Sequence, residues 1–213
     1  RRNAHTIFTT VCDYIHSENM EVLPSISFME EQLPGPGHLA GPAPTDEQLD
    51  EARFGLSMAR EIARLDIGQS IIVHGHSVVC VEAFKGTNEC LHAGGHRPHS
   101  VTLCKVTKPD HDMRFDVPCI GTGTIRNAIK ANVRHIVFEA NRTILFQREE
   151  VVKLCNEHGI TLHAMEVPLP EQEGADPGHI LTDEAHAAAM AAEILPGKTR
   201  RTPTVSYTHL TLP

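Results

Sequence analysis

Between Lys105 and Pro118 the chain crowds together the residue types that handle phosphate. Lys105, Lys108 and Arg114 stand among Asp110, Asp112 and Asp116, and Pro109 and Pro118 punctuate the run. Carboxylates can hold a divalent cation and cationic side chains can neutralise phosphate oxygens, so this mixture suits a phosphate–metal site. In an extended segment Asp112, Arg114 and Asp116 alternate by two and project to one face. The competing reading is a solvated, salt-bridged loop. Just downstream, Gly121-Thr122-Gly123-Thr124 leads into a helix. Small residues at Gly121 and a hydroxyl at Thr124 would let free N–H groups approach a phosphate, although the spacing is neither that of a Rossmann turn nor of a P-loop.

The fifteen histidines suggest zinc, with His74, His76, Cys90, His92, His96 and His99 as the nearest set. No spacing among them matches a four-ligand module, so they are read as turn and loop residues. No G-x-S-x-G elbow occurs. The six cysteines are scattered, as in a reduced cytosolic protein, and Cys104 and Cys119 are expected to be buried and inert. With 27 acidic against 19 basic residues and a net charge of −8, an overall nucleic-acid binder is excluded as the default. No apolar run approaches the ~18 residues of a membrane span.

These residues must be positioned by regular elements. Ile7, Val11, Tyr14 and Ile15 form the apolar stripe of a first helix, and residues 21–28 read as a short strand. The Pro/Gly-rich segment 34–44 is expected to lack regular structure and to act as a linker. Thr45 and Gln48 then make a capping box for a helix reaching about Arg64. Strands are expected at 69–74 and 78–83, joined by a hairpin at Gly75-His76-Ser77, and at 101–106, 135–139, 143–146 and 160–165. Helices fall near 125–131 and at 148–158, the latter stopped by Gly159. Interleaved strands and helices give an α/β fold with a mixed sheet. The expected division is 1–28, the last helix and strand of a truncated Rossmann-like domain; 29–44, linker; 45–168, a complete α/β domain; and 169–213, a poorly ordered tail with an Ala-rich stretch at 183–195.

A family resemblance rests on motifs that occur in order. These are Asp66-Ile67-Gly68-Gln69-Ser70, Val81-Glu82-Ala83 with Gly86-Thr87, Lys105-x-x-Lys108-Pro109, and Arg114-Phe115-Asp116-Val117-Pro118-x-Ile120-Gly121, followed by Glu139-Ala140-x-Arg142 and Arg148-Glu149. Together they resemble the C-terminal domain of the UDP-2,3-diacylglucosamine pyrophosphatases of lipid A biosynthesis, the form unrelated to the metallophosphoesterases. The resemblance spans about 22–167. It implies hydrolysis of the phosphoanhydride of a UDP-linked diacylglucosamine lipid to UMP and lipid X. It also implies Mg²⁺ (with Mn²⁺ as an alternative), a cytoplasmic setting and peripheral contact with the inner membrane surface.

By the same resemblance Asp116 is the indispensable acid, ligating Mg²⁺ or positioning water, and Asp112 is a second acid. Arg114, Lys105 and Lys108 would neutralise the pyrophosphate. Glu82, Thr87, Asp66, Gln69, Glu139 and Arg142 would line the rest of the substrate pocket with Gly121 and Thr124. Three departures stand out: Asn88 where the family usually has Asp, His111 where Gln is usual, and Asn141 where Gly is usual. Asn88 leaves open a second reading, a module that binds a nucleotide-sugar or lipid phosphate without hydrolysing it. With most of an N-terminal domain expected to be missing, this chain alone is expected to have little or no activity.

Overall fold

The computed structural model describes residues 4–96, 99–109, 111–115 and 117–167, with backbone alone for 4–6. In chain order the elements are α1 (Ala4–Ser17), β1 (Gly37–Ala40), α2 (Asp46–Arg64), β2 (Ser70–His74), β3 (Ser77–Val81), α3 (Gly86–Gly94), β4 (Thr102–Lys105), β5 (Cys119–Ile120), α4 (Thr122–Ala131), β6 (His135–Glu139), β7 (Ile144–Leu145), α5 (Arg148–His158) and β8 (Thr161–Met165). Six strands form one mixed sheet in the order β1-β8-β6-β4-β2-β3, and β5 pairs with β7 in a separate parallel ribbon. Strands β4, β6 and β8 are parallel, while β2 is antiparallel to both β3 and β4 and β1 is antiparallel to β8. The fold is α/β, as expected from the interleaved pattern.

Strand alternation splits the core in two. Ile71, Val73, Cys104, Val106 and Val137 face α2, packing on Ala52, Leu56, Ala59 and Ala63. Ile72, Leu103, Ile136, Phe138 and Leu162 face the other way, towards Leu91 of α3, Ile125 and Ala128 of α4 and Val151 and Cys155 of α5. Residues one apart on a strand point to opposite faces, so a sheet covered on both sides needs near-continuous apolar runs. Helix α2 sits very close to the sheet. A Cβ at Gly55 would lie 2.3 Å from the Cys104 sulfur, so only glycine permits this approach.

Local signals explain the best-defined ends. Thr45 accepts from the Gln48 N–H at 3.2 Å and the Gln48 side chain accepts from the Thr45 N–H at 2.9 Å, closing the capping box of α2. Gly159 ends α5 in the left-handed region, with its N–H bonded to the Cys155 carbonyl. The hairpin at Gly75-His76 joins β2 and β3 as expected, both residues having positive φ.

Four expectations need correction. The Pro/Gly segment is not devoid of regular structure: Gly37–Ala40 forms an edge strand, because Pro can flank a strand whose unpaired side needs no donor. Residues 21–28 form no strand; Ser25–Phe28 is a turn closed by Ser27 N–H to Pro24 O. Helix α3 is absent from the sequence reading, since Gly, Asn and His dilute its periodicity. Finally, Cys119 is exposed, whereas Cys104 is buried as expected. The apolar residues Ile7, Val11 and Tyr14 of α1 are exposed, while Cys12 on its other side is buried and Phe8 stacks on Phe115 at 5.1 Å between centroids. The 183–195 stretch and the tail lie outside the described residues.

Candidate active site

The carboxyl ends of the parallel strands are where α/β sheets place their ligands. Here β4 ends in Lys105 and β6 ends in Glu139, and on the same edge lie Ser70 at the start of β2 and Glu82 just past β3. Ser70 and Lys105 are register partners in the β2–β4 ladder, so their side chains share a face of the sheet. That face is the one covered by α3. The Lys105 ammonium is buried, 6% exposed, and donates to Ser70 Oγ at 3.1 Å and to Thr87 Oγ1 at 3.0 Å. Thr87 in turn donates to Glu82 Oε1 at 3.0 Å. The second Glu82 oxygen is buried without a hydrogen-bond partner.

The cation and the carboxylate are therefore linked through a hydroxyl, with one acceptor left open. The backbone beneath them is tight: a Cβ at Gly68 would fall 2.1 Å from the Glu82 carbonyl oxygen. Gln69 contributes its backbone, accepting from the Val106 N–H at 2.9 Å. Nearby Cys90 is kept protonated chiefly by burial, with Cys80 and Glu82 reinforcing and Lys105 opposing. It is no nucleophile.

The opposite face carries a second cluster. Glu139 is 3% exposed, and both its oxygens are engaged. Oε1 accepts from Arg60 Nη2 at 2.8 Å and lies 3.4 Å from Arg142 Nε as an ion pair, while Oε2 accepts from the Thr107 N–H at 2.8 Å. Arg60 comes from the apolar stripe of α2, between Leu56 and Ala63. Arg142 also reaches the carbonyls of Lys108 and Pro109, at 3.4 and 3.5 Å, and Thr107 Oγ1 donates to the Arg142 carbonyl at 3.1 Å. Lys108 extends to Asp66 at 3.1 Å. Asp66 adopts φ 61°, a left-handed conformation that Asp tolerates better than most residues. Glu139 thus presents no free oxygen, unlike Glu82.

The 111–115 segment is a turn and not the extended stretch expected from its alternation. Asp112 folds back on Arg114, accepting from its backbone N–H at 3.0 Å and from Nε and Nη2 at 2.9 and 2.6 Å. This pairing holds the Arg114 guanidinium above its usual pKa, the Asp112 hydrogen bond being the main cause. The two side chains therefore satisfy each other instead of projecting side by side. Ser25 ties the turn to the N-terminal segment through bonds to the Met113 and Arg114 carbonyls, and a cavity of about 790 Å³ opens between this turn and residues such as Cys12, His16, Met20 and Val22. Asp116 lies outside the described residues.

Neither α3 nor α4 has a side-chain cap at its start. Gly121 precedes α4 in extended conformation, Thr122 bonds Gln147 at 2.9 Å, Gly123 faces open space and Thr124 is half-buried. Asn88 on α3 accepts from the Asn127 amide of α4 at 3.1 Å. An aspartate at 88 could accept the same bond, so Asn88 keeps the contact and removes a charge. Leu65 and Ile67, on either side of Asp66, and Phe84, next to Lys85, are exposed.

Among the described residues no three His, Cys, Asp or Glu side chains gather around one point. The histidine pair His74–His99 stacks at 5.3 Å at the other end of β2, away from this edge. Magnesium does not require such a cage. It commonly binds through one or two carboxylates plus substrate phosphates, and the open oxygen of Glu82 is a donor of that type. Sequence reasoning missed Ser70, Thr107 and Arg60 as partners in these clusters. Ser70 could have been found as the lone hydroxyl opening a β-branched run, and Arg60 as a charge inside the α2 stripe.

Two comparisons bear on this arrangement. Residues 35–163 match the family model described as the LpxI C-terminal domain. The chain is also similar to the UDP-2,3-diacylglucosamine pyrophosphatase LpxI of Caulobacter vibrioides, 31% identical over 169 residues that make up 75% of this chain and 60% of the relative. The chain thus spans about 60% of the relative's length, less than two thirds. No helix among the described residues is long and apolar enough to cross a membrane. With the match running from the edge strand β1 into β8 and enclosing both charged clusters, the chain belongs to the LpxI C-terminal domain family.

Proposed function

We propose that this chain carries the hydrolytic domain of a UDP-2,3-diacylglucosamine pyrophosphatase, releasing UMP and 2,3-diacylglucosamine 1-phosphate in lipid A biosynthesis. The observation that carries the reading is the buried Lys105–Thr87–Glu82 relay at the carboxyl edge, with Thr87 in the first turn of the uncapped helix α3. A phosphoanhydride has charge on both phosphates, and hydrolysis adds charge to the leaving phosphate. A dry, preorganised ammonium with fixed hydroxyls stabilises that charge far better than water does. The family likeness to a relative named for this reaction supports the same assignment.

Lys105 binds and neutralises phosphate oxygens, Lys108 and Arg142 add cations from the loops after β4 and β6, and Thr87 holds Lys105 and Glu82 in fixed relation. Gly121 and Thr124 offer backbone N–H groups to a second phosphate. Glu82 and Asp116 would hold Mg²⁺, which supplies charge neutralisation for an in-line displacement when bound. Arg114, already paired with Asp112, steadies the turn that precedes Asp116. The reading is tested by hydrolysis of UDP-2,3-diacylglucosamine with Mg²⁺ by the full-length protein. Product must appear, and Asp116→Ala must lose nearly all of it; unchanged turnover in that variant removes Asp116 from the mechanism.

A lipid substrate needs an apolar surface near the charged residues, and exposed Leu65, Ile67 and Phe84, with Lys85, are close to Asp66 and Glu82 in the chain. We place peripheral contact with an anionic membrane surface there. Phe84→Ser is expected to reduce co-sedimentation with anionic phospholipid vesicles several-fold; equal binding would move the contact elsewhere. The second reading, a binding module without turnover, is favoured by the uncharged Asn88 and its bond to Asn127. Restoration of Mg²⁺-dependent turnover by Asn88→Asp in an otherwise inactive protein would support it.

A further inference from the structure

Arg60 is an anomaly by its position. It lies in the apolar stripe of α2 and its side chain is 4% exposed, yet its Nε and Nη1 are buried without hydrogen-bond partners. A leucine or methionine there would fill the same space without orphaned donors, and apolar replacements of buried charges are often neutral or stabilising. Packing therefore does not explain an arginine at 60. Its one short contact does: Nη2 meets Glu139 Oε1 at 2.8 Å, with a longer reach to the Val167 carbonyl at 3.4 Å.

Glu139 passes this contact on. The same Oε1 faces Arg142 Nε, and Oε2 fixes the Thr107 N–H at the exit of β4. Arg142 is the one member of the triad with solvent access, 28% exposed at its side chain, and it grips the Lys108 and Pro109 carbonyls. Three charges thus run from the inside of a helix, past a strand end, to the loop that carries Lys108. With two cations and one anion the triad keeps a surplus positive charge, and its accessible end is Arg142.

We propose that Arg60 and Glu139 are positioning residues that touch no substrate, and that they act by fixing Arg142 and the Lys108–Pro109 turn. The proposal rests on the reading of Arg142 as a phosphate-facing cation. A relay of this kind makes a specific demand. Once Arg142 is gone, Arg60 can act on the loop only through the Glu139 bond to the Thr107 N–H, so most of its effect should vanish.

The test is a double-mutant cycle in the full-length protein that carries this chain, assayed with UDP-2,3-diacylglucosamine. R60M is expected to lower kcat/KM by about tenfold or more and R60K to recover part of that loss. Adding R60M to R142M is expected to cost less than about twofold further, the non-additivity of residues acting through one another. A merely structural Arg60 would lower activity equally in either background, so losses that multiply overturn the proposal, as does an R60M enzyme with unchanged kinetics. If R60M lacks a cooperative thermal transition, R60Q takes its place in the cycle under the same criteria. If the unmutated protein does not hydrolyse the lipid, the functional reading fails. The cycle is then read as Kd for inorganic pyrophosphate, where coupling supports the relay and independent losses overturn it.

Discussion

The two faces of one sheet edge use the same residue types in opposite ways. On the α3 face, Lys105 and Glu82 are separated by the Thr87 hydroxyl, and one carboxylate oxygen remains open. On the α2 face, Arg60 and Glu139 meet directly and every oxygen of Glu139 is engaged. Charge held at one remove can change partners when a phosphate arrives. Charge locked in direct contact cannot, because desolvation makes separation too costly. The first arrangement leaves an acceptor without a partner, whereas the Arg60–Glu139 pair leaves none and ties Arg142 and the Thr107 N–H in place. Burial alone does not tell them apart, since Lys105 and Glu139 are about equally hidden.

Three measurements would break or sharpen this contrast. The largest effect is expected from Glu139→Ala. It strands Arg60 as an uncompensated buried charge, which costs about 3–5 kcal/mol of folding stability. Denaturant unfolding checks it, and a loss under 1 kcal/mol would erase the distinction. Lys105→Met should behave in the reverse manner. Ser70 and Thr87, 3.4 Å apart, can bond each other once the ammonium is gone, so stability should shift by only about 1 kcal/mol. Steady-state kinetics should instead show kcat/KM reduced roughly 10²–10³-fold, the usual effect of removing a preorganised charge stabiliser.

A third measurement, whose effect appears only below neutral pH, concerns a buried group outside both clusters. His135 bonds Thr102 at 3.2 Å, and burial, helped by His163, lowers its pKa from 6.5 to about 4. The unfolded chain therefore takes up this proton first. Stability from a neutral His135 is present above 6.5, declines as pH falls below that value, and levels near 4. His135→Gln should flatten unfolding free energy across this window; an unaltered slope would assign the acid sensitivity to other groups.

The sequence carried the scaffold well and the charged network poorly, for a physical reason. Capping at Thr45–Gln48, the stop at Gly159 and the apolar runs of β2 and β6 are local signals, and each stands in the structure as read. Which cation meets which carboxylate is decided by register. Ser70 lies opposite Lys105 because β2 is antiparallel to β4, and nothing within either strand announces it. The 112–116 alternation failed because it assumed an extended backbone, whereas Arg114 gains more by turning back on Asp112. Arg60 was visible as a charge in an apolar stripe, but its partner was 79 residues away. Residues 21–28 had strand-like composition, but the structure makes a turn at Ser25–Phe28.

The edge strand β1 bears on how this protein can be cut and joined. Gly37–Ala40 pairs with β8, and the Pro34 carbonyl accepts from the Asn141 N–H at 2.9 Å, next to the Glu139–Arg142 pair. An expression boundary drawn after this Pro/Gly segment would unzip that pairing and bare β8 as an open, aggregation-prone sheet edge. A boundary at or before Pro34 leaves β8 covered by β1. Fused partners belong upstream of that proline, where the β1–β8 pairing is left intact.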